Sequence, residues 1–393
     1  MKILHVIPTY LPAWRHGGPI FAVHGLARAL AARGHEVTVF TTDVHGTGKL
    51  DVPLATPVDL DGVRVYYFGV TFPERLYRSP AMGAALEKLV PEVDLVHLHS
   101  VFLWPTAAAA RAAEKSGVPY LLAPRGMLVE DLLQKRGRWR KRLWIDLVER
   151  RTLRAAAGLH VTSEIEAEEV KRLSLPLPPI HLVPNGVEAP LKPGNEDALA
   201  PAVRGALERR PLLLFLGRVN WKKGLDRLIP ALAALPEATL AIAGNDEEGY
   251  QAHLLKLARQ HGVEARVLFL GSVHGADKAA LLYGATVLVL PSYSENFGNS
   301  VLEAMAVGTP VAVTPEVGLA GVIAESGAGI VTPGDPESLG AALRQLLADP
   351  AQLERRGRQG ARAAQRFSWP TVAARMEAVY AALARSRAKA AGG

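Results

Sequence analysis

The 393-residue chain has no cysteine. That excludes disulfides, thiolate metal sites and a cysteine nucleophile, and nothing points to an oxidising compartment. No apolar run approaches the roughly 20 residues that a membrane span requires. The stretch from Met1 to Pro8 is too short an apolar run for a signal peptide and reads as a first strand. After it stands His16-Gly17-Gly18-Pro19 rather than the G-x-G-x-x-G of dinucleotide binders, which argues against NAD. With 49% hydrophobic and 21% charged residues, the composition is that of a folded protein of two or three domains.

Surplus charge is scarce except in one place. The whole chain carries 45 Lys and Arg against 38 Asp and Glu, and residues 135–154 alone hold nine basic and two acidic residues, a net of +7. Everything outside that segment is therefore neutral. Within it Trp139, Leu143 and Leu147 recur at helical spacing, with Trp144 and Val148 alongside. This is the pattern of an amphipathic helix on an anionic membrane surface. It is equally the pattern of a solvated helix whose Trp and Leu face the core. The expected location is cytoplasmic, with the inner face of the cell membrane as a docking surface. The neutral remainder and the lack of a recognition motif speak against nucleic acid.

Short, continuously apolar runs alternate with Ala/Leu/Arg-rich helical stretches from end to end. Strands are expected at 2–8, 36–41, 63–68, 94–99, 119–123, 158–161 and 180–183, then at 212–216, 239–243, 266–270, 286–290, 310–313 and 329–331. Continuous apolarity suits parallel strands covered on both faces, so the fold is α/β with βα units of doubly wound type. Asp61-Gly62 before Val63 reads as a hairpin turn at an antiparallel edge. The Pro-rich stretch 173–179 and the segment 188–200 bracket a domain boundary near residue 188. Two Rossmann-like domains are expected to face each other across a cleft. Residues 1–188 form one, with a C-terminal helix of about 371–393, and residues 189–370 form the other.

In open α/β sheets ligands bind just past the carboxyl ends of strands. There, after 286–290, come Glu295, Asn296, Phe297, Gly298 and Asn299, followed by a helix carrying Glu303. Gly298 allows close backbone approach, and the helix start near Asn299 offers free N–H groups to an anion. Glu295 and Glu303 can both accept hydrogen bonds from sugar hydroxyls; a solvated Glu beside a capping-type Glu fits the same spacing. After 212–216 come Arg218 and Lys223, a fork and a point charge that suit a diphosphate, although surface cations have the same composition. Gly17 and Gly18 feed another helix N-terminus. His97 and His99 end a strand, where a lone His is more often structural. The sole D-x-D, Asp59-Leu60-Asp61, falls in the hairpin and reads as turn residues rather than a Mg²⁺ site.

Gly17-Gly18, Asp94-Leu95-Val96-His97, Pro184-Asn185-Gly186-Val187, Gly217-Arg218 with Lys223-Gly224, and Glu295…Glu303 continued by Ala304-Met305-Ala306-x-Gly308-x-Pro310-Val311 stand in family order. The chain resembles a family 4 glycosyltransferase of the GT-B fold over nearly its whole length, and in particular polysaccharide-assembly members. The resemblance implies a retaining enzyme that moves a sugar from a nucleoside-diphosphate sugar to an acceptor, and with the basic segment the expected acceptor is a lipid-linked saccharide of cell-surface polysaccharide or glycolipid synthesis. It implies no cofactor beyond that co-substrate and no metal. Arg218 and Lys223 would hold the donor diphosphate, Glu295 the transferred sugar and Glu303 the ribose. Asn296, Phe297, Gly298 and Asn299 would offer groups to sugar and phosphate, Gly244 and Val273 would lie near ribose and base, and Gly17 and Gly18 would close the site. Many relatives place a His after the fifth strand; here Ala123-Pro124-Arg125-Gly126-Met127 stands, so a catalytic His there is excluded. His97, His99 and Arg125 remain as acceptor or sugar contacts. The alternatives are a GT-B-like epimerase or phosphorylase, and a catalytically silent partner subunit.

Overall fold

A computed structural model describes residues 1–13, 17–46, 48–128, 148–173, 175–195, 198–246 and 248–391. His16 and residues 135–147 of the basic segment lie outside the described residues. The chain divides into two compact units, Met1–Gly186 with the residues from Trp369 onward, and Val187–Ser368.

The first unit is built on β1 (Lys2–Val6), β2 (Glu36–Thr42), β3 (Val44–His45), β4 (Gly48–Lys49), β5 (Pro57–Leu60), β6 (Val63–Phe68), β7 (Leu95–His99), β8 (Tyr120–Ala123), β9 (Gly158–Val161) and β10 (Ile180–Leu182). Eight of these form one sheet in the order β10-β9-β8-β7-β1-β2-β6-β5, while β3 and β4 pair separately as a small hairpin. Every pairing in the large sheet is parallel except β5 with β6. The antiparallel edge is made by the expected turn. Asp61 and Gly62 both take positive φ, 54° and 80°, as a tight hairpin of right-handed twist demands. Asp59 Oδ1 accepts the Gly62 N–H at 3.1 Å, so this carboxylate is spent on the turn.

Alternate side chains of these strands enter different cores, as the period of 2 requires. Leu4, Val6, Val96, Leu98 and Leu122 pack in one cluster. Ile3, Ile7, Leu95 and Leu121 pack in the other, under the helix Gly18–Ala32 and beside Val372, Met376 and Tyr380 of the C-terminal helix Trp369–Ala391.

The second unit has one all-parallel sheet of β11 (Leu212–Leu216), β12 (Thr239–Ala243), β13 (Val267–Gly271), β14 (Val287–Leu290), β15 (Val311–Val313) and β16 (Gly329–Val331). Its order, β13-β12-β11-β14-β15-β16, reverses direction between β11 and β14, and such a switch point is where doubly wound sheets bind ligands. β11, β12, β14 and β15 are buried at every position, which explains their unbroken apolarity. Helices around them start on side-chain caps where the sequence supplies one: Asp335 accepts the Ser338 N–H and Asp349 the Gln352 N–H.

Candidate active site

In the second unit the loops after β11 and β14 are stitched together. Tyr293 N–H donates to Lys222 O at 2.8 Å, and Arg227 lies 3.4 Å from the centroid of the Tyr293 ring, whose hydroxyl donates to Asp226 Oδ2 at 2.9 Å. A short 3₁₀ turn, Trp221–Lys223, ends at Gly224 with φ 69°. A Cβ on Gly224 would sit 1.9 Å from Pro291 O, so only glycine lets the two loops approach. The result is a direct ion pair and hydrogen bond between Lys223 and Glu295, eight tenths of each side chain being covered.

Burial alone would raise the Glu295 carboxyl. The Lys223 charge and hydrogen bond, the Phe297 N–H and the Arg218 charge outweigh it and hold the group below its ordinary value. Glu295 is therefore an anion in the resting site. The Glu295 strand-like stretch is fixed from its other side too: Glu295 N–H donates to Glu316 O at 3.1 Å and Gly318 N–H to Glu295 O at 2.9 Å.

Gly298, with φ 100°, caps the helix Asn299–Ala306, whose first turn has no side-chain cap. Its opening N–H groups are oriented as an anion-binding end. Phe297 is buried against Phe367, while Asn296 and Asn299 are half-buried beside it. One turn on, Glu303 is held by Lys278, Nζ to Oε1 2.7 Å. Lys278 is a residue the sequence reading leaves out, since nothing local links it to a glutamate 25 positions away.

Loops after β11, β12 and β13 are joined in sequence. Gly217 N–H donates to Ala243 O, Val219 N–H to Asn245 O and Gly244 N–H to Gly271 O, at 2.9, 2.7 and 2.7 Å. A Cβ at Gly244 would lie 1.8 Å from Gly217 O. Arg218, Val219 and Asn220 together with Asn245 and Glu248 line a depression there. Val273 follows β13 as a mostly buried side chain. Thus Arg218, Lys223, Gly244, Val273, Glu295–Asn299 and Glu303 all occupy loops or helix starts at the carboxyl ends of β11–β14.

In the first unit Gly17, φ 74°, precedes the helix that begins at Gly18, and the space where a Cβ would stand is open. His97 and His99 are wholly buried, on the same sheet face as His5 and His160. The parallel register sets His5 beside His97, and the His5 and His99 rings stack 5.2 Å apart. Burial first, then the nearby Arg125 charge, drives His5 and His160 down to about 3 and His99 well below the ordinary range; for His97, also well below it, the rings of His99, His5 and His160 follow burial and precede Arg125, so all four rings are neutral.

Neutral rings have one donor and one acceptor, and the partners fix which is which. Arg125 Nη2 only donates, so His99 Nδ1 accepts at 3.2 Å; His99 Nε2–H then donates to His5 Nδ1 at 2.9 Å. His160 Nε2–H donates to Val183 O at 2.8 Å, so its Nδ1 accepts from His97 Nε2–H at 3.2 Å, and His97 Nδ1 accepts from the Tyr380 hydroxyl at 2.7 Å. His5, His97 and His99 have nitrogens within 4.8 Å of one another, a spacing that could hold a metal ion. Both nitrogens of His97 and of His99 are already committed in this chain, and only His5 Nε2–H is left over. What the cluster holds toward the loops is Arg125. Its Nη1 donates to Asn185 Oδ1 at 2.9 Å.

Of the basic segment, the described part is Val148–Arg154. Thr152 and Leu153 are buried, and Arg151 turns outward to pair with Glu114 at 3.1 Å. No helix among the described residues is long and apolar enough to cross a membrane.

Comparison with known proteins bears on this arrangement. Residues 198–366 match the family described as glycosyl transferases group 1, and residues 17–186 match the glycosyl transferase 4-like domain. The D-inositol 3-phosphate glycosyltransferase of Xylanimonas cellulosilytica is 32% identical over 423 aligned residues, covering 98% of this chain and 97% of that protein. The glycogen synthase of Mycobacterium tuberculosis is 32% identical over 419, covering 98% and 95%. Among solved structures, sucrose-phosphate synthase of Thermosynechococcus elongatus superposes with a TM-score of 0.76 at 23% identity, covering 98% of this chain and 99% of that one. HepE of Anabaena in complex with UDP-glucose gives 0.74 at 18% identity, covering 97% and 100%. With two Rossmann-like units of the GT-B fold and both family domains in order, the chain belongs to the family 4 glycosyltransferases.

Proposed function

We propose that the protein transfers a sugar from a nucleoside-diphosphate sugar, with retention of anomeric configuration, to an acceptor that carries a phosphate. The observation that carries this reading is the Lys223–Glu295 contact at the switch point of the second sheet, beside Arg218 and the uncapped helix at Asn299. Departure of a nucleoside diphosphate leaves negative charge on the leaving group. A site gains most by stabilising that charge as it develops. Lys223 and Arg218 supply the cations, and the helix end adds roughly 0.3–1 kcal/mol. Glu295, kept ionised by Lys223, is placed to accept hydrogen bonds from the transferred sugar and to fix it; Glu303, braced by Lys278, does the same for the ribose. Attack by the acceptor on the leaving face then gives retention without a protein nucleophile. The reading needs no metal and no cofactor beyond the donor.

For the acceptor, a lipid-linked saccharide phosphate at a cytoplasmic membrane face is supported by the basic segment 135–154. A soluble inositol phosphate is supported by the similarity to the D-inositol 3-phosphate glycosyltransferase of Xylanimonas. The test is product formation from UDP-, GDP- and ADP-sugars, each with and without acceptor, by wild type and by the folded variants Lys223→Ala and Glu295→Ala. We expect product only with acceptor, and at least a hundredfold loss in either variant, since removing one charge-stabilising group of this kind typically costs about 10²–10³ in rate. Near-normal turnover in either variant overturns the site assignment. Product from donor alone identifies an epimerase or similar enzyme, and nucleotide binding without any product identifies a silent partner subunit.

A further inference from the structure

Arg125 is a cation in an unusual setting. It ends the hydrogen-bond chain His5–His99–Arg125, donates Nη1–H to Asn185, and its Nε–H is fully covered with no partner. Among the described residues it forms no ion pair. Glu166 acts on it only from a distance. That carboxylate is spent elsewhere, Oε1 on the Gly126 N–H at 2.8 Å and Oε2 on the Thr162 N–H and hydroxyl at 2.7 and 3.0 Å. Burial pushes the guanidinium down to about 10, with Glu166 and Tyr380 opposing, so at neutral pH it keeps its charge.

A buried cation without a contacting anion is costly, and so is each covered donor left without an acceptor. The cluster has two such donors, Arg125 Nε–H and His5 Nε2–H. A sheet that merely needed filling would meet neither cost. The backbone is strained at the same edge: of six non-glycine residues with positive φ among the described residues, Ser100, Phe102 and Arg125 follow β7 and β8 directly. Arg125, Gly126 and Asn185 are each partly open to solvent as residues, which places this edge of the sheet at the surface of the unit.

We infer that Arg125, aimed by His99 and Asn185, binds a phosphate oxyanion of the sugar acceptor in the first unit. This rests on the transferase reading for the word acceptor, and on the unit's own geometry for the anion. A guanidinium fork is suited to phosphate, and its bonds fix its direction: one N–H of Nη2 goes to His99 and one of Nη1 to Asn185, so the second N–H of each is left for a ligand. His5, His97, His160 and Tyr380 are positioning residues. His5 acts through its bond with His99, while His97, bonded to His160 and Tyr380, packs against the His99 and His5 rings.

The full chain is saturated with UDP, which occupies the nucleotide-binding cations of the other unit, and titrated by calorimetry. The probes are inorganic phosphate, myo-inositol 1-phosphate and a polyprenyl phosphate in detergent micelles. Wild type should bind at least one phosphate probe; Arg125→Gln should weaken it at least tenfold and Arg125→Lys should restore part of the loss, with the UDP affinity of Arg125→Gln, which reports a folded protein, within error of wild type. Preference for inositol phosphate identifies a soluble acceptor, and preference for the polyprenyl phosphate a lipid-linked one. Equal phosphate binding by Arg125→Gln and wild type overturns the inference, as does wild type that binds UDP but no phosphate probe. Wild type that fails to bind any nucleoside diphosphate overturns the transferase reading instead, and phosphate binding that still depends on Arg125 would leave this site standing.

Discussion

The four neutral histidines of the first unit make a residue-scale prediction. His160, for example, falls from an ordinary value of 6.5 to about 3, because burial and the Arg125 charge outweigh its bond to Val183 O. In the unfolded chain the ring protonates below about pH 6.5, while in the folded protein it stays neutral until about pH 3. Through that window the unfolded state binds more protons, so stability falls as pH falls, by up to ~1.4 kcal/mol per pH unit for each such ring. His160→Gln keeps one donor and one acceptor and cannot titrate. Urea unfolding at fixed pH should show its stability curve flatter than wild type between about pH 6 and 4 by nearly one proton. An unchanged slope would mean that the folded ring is already protonated. Such rings were only partly readable in the sequence. His97 and His99 attract notice as a pair after a strand, but His5 and His160 sit in apolar runs far away, and only parallel register brings the four together.

At the scale of elements, the site depends on loops that approach one another more closely than side chains allow. Gly224 and Gly249 share φ 69°, but a Cβ on Gly224 meets Pro291 O at 1.9 Å whereas one on Gly249 meets nothing within 4 Å. Alanine at Gly249 should therefore cost only the left-handed backbone, about 1 kcal/mol. Alanine at Gly224 must in addition push the β11 and β14 loops apart and separate Lys223 from Glu295. We expect it to lower stability by more than about 2 kcal/mol and UDP affinity by more than tenfold, read by denaturant melts and calorimetry. Equal effects of the two substitutions would show that the loop contact is dispensable. The kind and approximate span of most strands was readable from their unbroken apolarity, and the β5–β6 hairpin from Asp61-Gly62. The pair β3 and β4 was not, because two-residue strands leave no periodicity to see. Lys223 and Glu295 were each readable as site residues; their contact was not, since 72 residues separate them and the pairing of β11 with β14 is what closes the distance.

For the whole molecule the distribution of charge is the informative quantity. All of the +7 is held in residues 135–154, nine basic residues against two acidic, over a neutral remainder. The part of it that is described, Val148–Arg154, turns Thr152 and Leu153 inward and Arg151 and Arg154 outward, so one side packs and the other meets solvent. Basic residues near an anionic leaflet contribute about 1 kcal/mol each. Flotation with anionic vesicles should therefore carry the protein at low salt and release it as salt rises, while neutral vesicles leave it behind. Equal partition into both, or into neither, would remove the membrane surface from the reading.

The sequence by itself determined the fold class, the βα order and the family, because burial of parallel strands on both faces forces continuous apolar runs, and because the loops that follow them carry residue types suited to phosphates and sugars. It also located the excess charge, which needs only counting. The tertiary structure alone decided which of those residues meet: Lys223 with Glu295, Lys278 with Glu303, and Arg125 at the end of a histidine chain drawn from β1 and β7. Hydrogen-bond partners and desolvation depend on distances in space, and no local pattern in a chain encodes a distance between residues scores of positions apart.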